Sequence, residues 1–439
     1  MIWVRTRRDP IAVMLLALAV RLWWNLSVHP LLQFAYADMG GYLERARTSI
    51  LFPDEPRPYF TLFPWGTHWL LSLVMRVFGR ENGTALGAAY AVLGALAVGY
   101  TCALARRFTR SRGVALVVGA VLAVYYPWIA LGGYALSEPP FALFLSATAF
   151  HGLAYADRGR RRDAWLFGVA LALGAIFRPQ ILVALPLYGL HWLLRRRTWH
   201  RFRLRVIAPA LVAPLALVTV VSAARVHFHT GAYGLIAANG PLNFAFGRCH
   251  ATAITSVAPD RKGGYSPPSL SGLAGYAAAH PDALFTLDPA MGATLNVTGH
   301  MWDAAPMYTL AAECVHRTGA VRQVKYAASH LALLWFYNVA WPDVGQVPFR
   351  SYMETAQTAH NRLVLPAALW AMVLAFRRQR ARAMLLALHV FGLLAVAMLY
   401  FGDPRLRAPY DGLLITLAAS TYASALTAIR KRVRLTRSR

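Results

Sequence analysis

The sequence predicts an all-α polytopic membrane protein, and three observations carry that prediction. Hydrophobic residues make up 57% of the 439 positions and charged residues only 14%, with a mean hydropathy of +0.42, the composition of a chain whose solvent is lipid. Apolar stretches of roughly one membrane crossing recur along it, a crossing needing about 20 apolar residues, or fewer when flanking side chains snorkel. Between them, 27 of the 45 Lys and Arg residues gather in six short clusters with only Asp9, Asp157 and Asp163 for acidic company.

In chain order the expected spans are residues 10–28, 84–105, 113–131, 138–155, 164–177, 180–194, 206–224, 361–376, 383–401 and 411–429, ten in all. The basic clusters are Arg5 to Arg8, Arg106 to Arg112, Arg158 to Arg162, Arg195 to Arg205, Arg377 to Arg382 and Arg430 to Arg439. With ten spans all six fall on one side of the membrane, which the positive-inside rule makes the cytoplasmic side, with both termini. A formal charge of +27 would suggest nucleic acid in a soluble protein; distributed over six loops, it orients the chain instead, and nucleic acid is not an expected partner. The first apolar run leads into Arg21-Leu22-Trp23-Trp24 without a small-residue cleavage site, so it reads as a retained span.

Two further apolar stretches, 63–79 and 326–342, would each invert every later loop if it crossed alone. Both are therefore expected to lie at the interface, the first with Trp65, His68, Trp69 and Arg76 at headgroup level. Long outer segments follow at 29–83 and 225–360, too long to be mere connections and the expected seat of function. The second is rich in turns, with Asn239-Gly240-Pro241 and Gly263-Gly264, and Asp303 to Tyr326 has helical apolar spacing. No repeat of 20 to 50 residues is visible, so residues 1–439 read as one membrane domain. Of three cysteines, Cys102 lies in a span, while Cys249 and Cys314 share the long outer loop, where an oxidising compartment would allow a bridge or leave two thiols.

The candidate site residues stand at the outer ends of these spans. Asp38, in Tyr36-Ala37-Asp38-Met39-Gly40-Gly41-Tyr42, follows the first span, and Tyr42 four residues on would share its helical face. A solvated loop carboxylate with an aromatic anchor is the plainer reading. Glu138 opens the fourth span after Ser137 and before Pro139-Pro140, which equally suits an ordinary helix start with Ser137 as N-cap. Arg178-Pro179 breaks two short apolar half-spans, and a guanidinium there needs a carboxylate or a phosphate. Asp403-Pro404-Arg405-Leu406-Arg407 puts two more arginines on the side where few are expected, which suits a phosphate, a carboxylate or lipid headgroups. His68, His300 and His360 are scattered without metal-ligand spacing, and no Walker, dinucleotide or Gly-x-Ser-x-Gly motif occurs, which argues against a soluble nucleotide donor or a serine hydrolase.

Together these pieces resemble the polytopic GT-C glycosyltransferases, in particular the bacterial branch similar to protein O-mannosyltransferases and lipid A aminoarabinose transferases. The matching residues are Arg21, Asp38 and Tyr42, Leu70 to Gly79, Ser137-Glu138 with Phe141, Arg178-Pro179, Asn239-Gly240 with Asn243 and Gly247, and Asp403-Pro404-Arg405 before Pro409. Ala37 and Met39 flank Asp38 where the family often carries a second acidic residue. The resemblance implies inverting transfer of one sugar from a polyprenyl phosphate carrier to an acceptor hydroxyl at the outer face of a bacterial cytoplasmic membrane, the acceptor being an envelope glycan, a lipid or a protein. It implies Asp38 as general base, Glu138 assisting it, Arg178 and Arg405 on the carrier phosphate, and Tyr42, His68 and Asn243 lining the substrate. Some relatives place a divalent cation near the first-loop Asp, which here would be Asp38. A lipid-linked polysaccharide ligase or polymerase is the alternative, with its basic residues among Arg248, Arg261, His280, His300 and His316. A lipid-linked sugar transporter would need matched broken helices, of which Arg178-Pro179 is the single defensible case.

Overall fold

A computed structural model of the chain describes residues 2–48, 52–195, 202–249, 253–257, 262–265, 294–298, 302–336, 339–346, 348–378 and 381–437. All ten apolar stretches are helical. Helix α1 (Ile2–Trp23) continues through one π turn to Val28. Then come α2 (Ala37–Thr48), α3 (Gly66–Phe78), α4 (Gly83–Thr109), α5 (Arg112–Ala123), α6 (Tyr126–Ala130), α7 (Glu138–Arg158), α8 (Arg161–Phe177), α9 (Ala184–Leu194), α10 (Leu204–Thr230) and α11 (Gly240–Arg248).

Six helices among the described residues are long and apolar enough to cross a membrane: Arg8–Val28, Gly83–Thr109, Leu204–Thr230, Phe349–Arg378, Ala381–Leu399 and Pro404–Val433. α5 and the α6 region together are long and apolar enough for one more, but are bent by 54° at the break between them. The other three expected spans are α7, α8 and the shorter apolar helix Pro179–Leu194. α7 is buried along most of its length between α4 and α8. Its polar residues face protein and not lipid, which is why hydropathy underrates it.

Local sequence explains the helix ends. Asn82 caps α4 by accepting from the Ala85 amide (3.0 Å), and Ser111 caps α5 through the Val114 amide (3.4 Å). Gly159, at φ +66°, closes α7 in the left-handed conformation that glycine adopts without strain. At the α5 break the fully buried Arg21 donates to the Ala123 and Leu122 carbonyls (3.0 and 3.1 Å), satisfying orphan acceptors inside the bundle.

The clustering of basic loops at one end is visible in ion pairs. Arg112 meets Asp9 (2.8 Å), and Asp157 meets both Arg107 (3.2 Å) and Arg382 (2.7 Å). These contacts bring four of the six basic segments together at one end of the bundle. Asp38, Glu138, Arg178 and Arg405 lie at the other.

The long segment after α10 adds two features to the all-α picture. Strands β1 (Ala253–Val257), β2 (Lys262–Tyr265) and β3 (Thr294–Thr298) form a small sheet in the order β2-β1-β3, antiparallel and then parallel. The surface helix expected from Asp303 is present as Ala304–Leu333, kinked at Gly319. Cys249 and Cys314 form a disulfide that ties α11 to this helix across 65 residues. Loop closure of that length constrains the unfolded chain by about 4 kcal/mol, so Cys314→Ser should lower the unfolding free energy by up to that amount. Non-reducing denaturation of both proteins checks it.

Two expectations are corrected. α3, at 13 residues, is about 20 Å long and too short to cross a core of about 30 Å, as expected. Trp65 and His68, however, face protein and not headgroups: Trp65 donates to Ser222 of α10 (2.8 Å), and His68 is 1% exposed. The 326–342 stretch is not one interfacial helix, because helix ends at Leu333. Its next carbonyls are taken by side chains from other elements, Leu334 by Arg407 (3.1 Å) and Trp335 by Gln357 (3.0 Å), and these bonds replace the helical ladder. Gly402 then lets the following turn approach closely, since a Cβ there would run into the His330 carbonyl.

Candidate active site

Asp38 occupies the first turn of α2. The helix starts abruptly at Ala37, whose φ of +46° is unusual for a residue with a side chain. That local turn presents the Asp38 carboxylate at the helix N-terminus, where a negative charge is favoured. Its Oδ2 accepts from Arg405 Nη1 at 3.1 Å. Arg405 comes from the short helix Pro404–Arg407, whose first turn Asp403 caps by accepting from the Arg405 amide (2.7 Å). Burial pushes the Asp403 carboxyl up to about 6, against the lowering pull of the Arg405 amide and guanidinium.

Glu138 lies at the centre of the cluster. Its Oε1 accepts from both Arg405 Nε and Arg178 Nη2, so one carboxylate oxygen joins three chain segments. Arg178 Nε donates to Ser137 Oγ at 2.9 Å. Ser137 stands at the N-cap position of α7 but makes no side-chain cap bond; its hydroxyl serves the arginine instead, which decides against an ordinary helix opening. Arg178 reaches the cluster because α8 ends at Phe177 and Arg178 itself is extended before Pro179.

Two carboxylates and two guanidiniums therefore form a neutral group built from residues 38, 138, 178 and 405. Side-chain exposure separates their tasks: Glu138 is 1% exposed, Arg178 12%, Arg405 14% and Asp38 34%. Asp38 is the member a substrate can reach. A carboxylate with one oxygen tied to a cation and the other side open can accept a proton from an incoming hydroxyl.

Aromatic residues wall the group, and some were not legible beforehand. Tyr42 is buried beside Phe63, with ring centroids 5.2 Å apart, and burial followed by the Asp38 charge pushes its hydroxyl up to about 12. Trp341, from the late outer segment, lies over the Arg405 guanidinium at 4.7 Å and edge-on to Tyr36 at 5.7 Å. The Tyr36 hydroxyl donates to the Pro342 carbonyl (3.1 Å). Buried Asp343 then anchors this strap by accepting from Tyr126 and Tyr134, each at 2.8 Å. The sequence signal was the run Trp341-Pro342-Asp343 inside an otherwise apolar stretch.

Other expected site residues fall elsewhere. His68 is buried in α3, held neutral well below its usual range by burial and then by the Arg225 and Arg45 charges. Asn243 lies on α11, whose Leu242 and Phe246 pack on Leu62, and among the described residues no hydrogen bond joins it to the Asp38 group. His360 pairs with Asp411 (3.2 Å), which also takes Arg407 (3.0 Å) and Tyr125 (2.7 Å). Arg248 donates to the Met398 carbonyl (2.7 Å), a bracing role, and His316 is exposed. Arg261, His280 and His300 lie outside the described residues. No group of three or more His, Cys, Asp or Glu that could hold a metal occurs among the described residues. Around Asp38 itself the nearest charged neighbour is a guanidinium, a poor companion for a divalent cation.

A family model described as dolichyl-phosphate-mannose-protein mannosyltransferase matches residues 63–224, the stretch that carries Glu138 and Arg178. An uncharacterised protein of Aquifex aeolicus is 31% identical over 120 residues, covering 27% of this chain and 24% of that protein. The undecaprenyl phosphate-alpha-4-amino-4-deoxy-L-arabinose arabinosyl transferase of Pseudomonas aeruginosa is 28% identical over 227 residues, covering 48% of this chain and 41% of that enzyme. The chain thus spans less than half the length of these curated relatives. Among solved structures, the Archaeoglobus fulgidus oligosaccharyltransferase in its apo form superposes with a TM-score of 0.51 at 14% identity, covering 98% of this chain and 51% of that one, which is a likeness of fold. These matches bear out the GT-C resemblance.

Proposed function

From this GT-C membrane architecture we propose that the chain transfers a single sugar from a polyprenyl phosphate carrier to an acceptor hydroxyl. The single observation that carries the reading is the meeting of Asp38, Glu138, Arg178 and Arg405 at the end of the bundle opposite the basic loops. That end faces outward across a bacterial cytoplasmic membrane in this proposal, with both termini inside. The acceptor is a hydroxyl of an envelope glycan, lipid or protein.

Asp38 acts as the general base. As the acceptor oxygen attacks the anomeric carbon, its proton passes to the free side of the Asp38 carboxylate, the bond from the anomeric carbon to the phosphate oxygen breaks, and the carrier phosphate departs with the bonding electrons. Attack opposite the leaving group inverts the anomeric centre. A phosphate leaves readily, so no strong acid is needed on that side. Arg405 holds the Asp38 carboxylate aimed. Glu138 in turn holds Arg405 and Arg178, and the commitment of both guanidiniums to carboxylates makes them positioning groups in this mechanism.

Reconstituted protein, supplied with undecaprenyl-phosphate-linked sugars and membrane extract, should release undecaprenyl phosphate as the sugar appears on an acceptor. No release with any of a panel of pentose and hexose donors would overturn the reading. The mechanism also works without a divalent cation, since Arg405 already occupies one oxygen of Asp38. Turnover in EDTA should match that in magnesium or manganese, and a loss restored by either metal would contradict this.

A further inference from the structure

The proposed mechanism gives Asp403 no task beyond capping a helix of 4 residues, yet its surroundings are those of a fifth member of the charged group. It is 6% exposed, and the charges that act on it are Arg405 from its own helix, Glu138 at the start of α7 and Arg178 just after α8. The turn that delivers it is braced from behind. Arg248 donates to the Met398 carbonyl (2.7 Å), and Gly402 lies so close to the His330 carbonyl that a Cβ would collide. Of the other titratable neighbours, His330 is held neutral, pushed down to about 3 by burial and then by the Arg248 charge, and Tyr42 is pushed up to about 12. Arg407 turns away, to the Leu334 carbonyl and Asp411. Ser or Asn would cap this helix as well as Asp does, without a buried charge, so capping alone does not account for a carboxylate here.

The balance of charge does account for it. With Asp403 ionised, three carboxylates surround two guanidiniums, leaving one negative charge in excess. Proton transfer removes that excess: once Asp38 has taken the acceptor proton, Glu138 and Asp403 stand against Arg178 and Arg405, a balanced set. With Asp403 protonated, the same step would leave Glu138 alone against two guanidiniums. A net positive charge would then build up in a mostly buried site, where an uncompensated charge is penalised more than in water.

We propose that Asp403, acting through Arg405, is the counter-charge that lets Asp38 accept the acceptor proton, so that transfer depends on whether Asp403 is ionised. It touches no reacting atom and is a positioning residue. The step it assists is that of the transfer reading, on which this inference rests.

The effect of pH on stability and on rate tests the proposal. Burial raises the Asp403 carboxyl to about 6, against about 4 in an unfolded chain. The folded protein therefore holds this proton more firmly, and stability is lost as pH rises through 6. Asp403→Asn keeps the cap and removes the ionisation. In detergent-solubilised full chain its melting temperature should match that of the original at pH 5 and exceed it at pH 7.5, whereas a purely structural aspartate would leave the variant less stable at both. The ratio of kcat, original over variant, with saturating undecaprenyl-phosphate-linked sugar, should rise from near one at pH 5 to about tenfold at pH 7.5, with the donor KM unchanged. Taking the ratio cancels titrations that both proteins share. A ratio that does not change with pH overturns the proposal, and so does a lower melting temperature of the variant at pH 7.5. Asp403→Ser, which also caps, takes its place if the asparagine variant does not fold, and failure of both makes Asp403 structural and overturns the role. Absence of transfer in the original at every pH fails the transfer reading and this role with it, while transfer with a flat ratio fails the role alone.

Discussion

Asp38→Asn is expected to lower sugar transfer by about 10²- to 10⁴-fold, the usual range of general-base assistance, without unfolding the protein. The amide preserves the shape and still offers Arg405 Nη1 an oxygen acceptor in place of the present 3.1 Å bond. What it loses is basicity. Asp38 is also the most exposed of the four charged residues, and without its charge Arg405 still pairs with Glu138. Initial rates with saturating donor, measured beside a thermal melt, check the prediction. Turnover within a few-fold of the original would remove Asp38 from the chemistry, and a collapsed melt would make it structural.

Glu138→Ala should do the reverse, destabilising the fold strongly. Its carboxylate is 1% exposed and receives both Arg178 and Arg405, so its removal leaves two guanidiniums in a protein interior with one remaining carboxylate between them. Breaking a buried pair by deleting one partner costs about 3–5 kcal/mol. Replacing Glu138, Arg178 and Arg405 together by apolar residues of similar size should recover much of that loss while abolishing transfer. Denaturant midpoints of the single and triple variants distinguish the two, and equal stability of Glu138→Ala and the original would show that the cluster is not held by this carboxylate.

The same distinction runs through what could be read before the fold was known. The disposition of basic loops was legible, because 27 arginines and lysines between apolar runs report the positive-inside bias directly. Asp38, Glu138, Arg178 and Arg405 could each be picked out, because a charge at the end of an apolar helix is unusual wherever it occurs. The bond network among them could not, since the partners lie 40, 267 and 367 residues apart. The part given to Ser137 illustrates the limit: its sequence context fits an N-cap, and only the approach of Arg178 reassigns its hydroxyl.

Other residues escaped for similar reasons. Arg225 sits near the end of an apolar helix beside His227 and His229 and looks like an interfacial anchor, yet it is turned inward onto the Phe60 carbonyl. Trp341 belongs to a stretch whose hydropathy suggests a helix, yet side chains from distant segments claim the carbonyls at its start, and the strap it forms is pinned through Asp343.

Composition and charge patterning by themselves determined that this chain is a helical membrane protein with its basic loops at one end, because burial in lipid and the placement of cations act on each segment separately. Tertiary structure alone decided which carboxylate meets which guanidinium, and which arginines find no counter-charge among the described residues. Those outcomes depend on distances of a few ångströms between segments hundreds of residues apart, and no local preference encodes such distances.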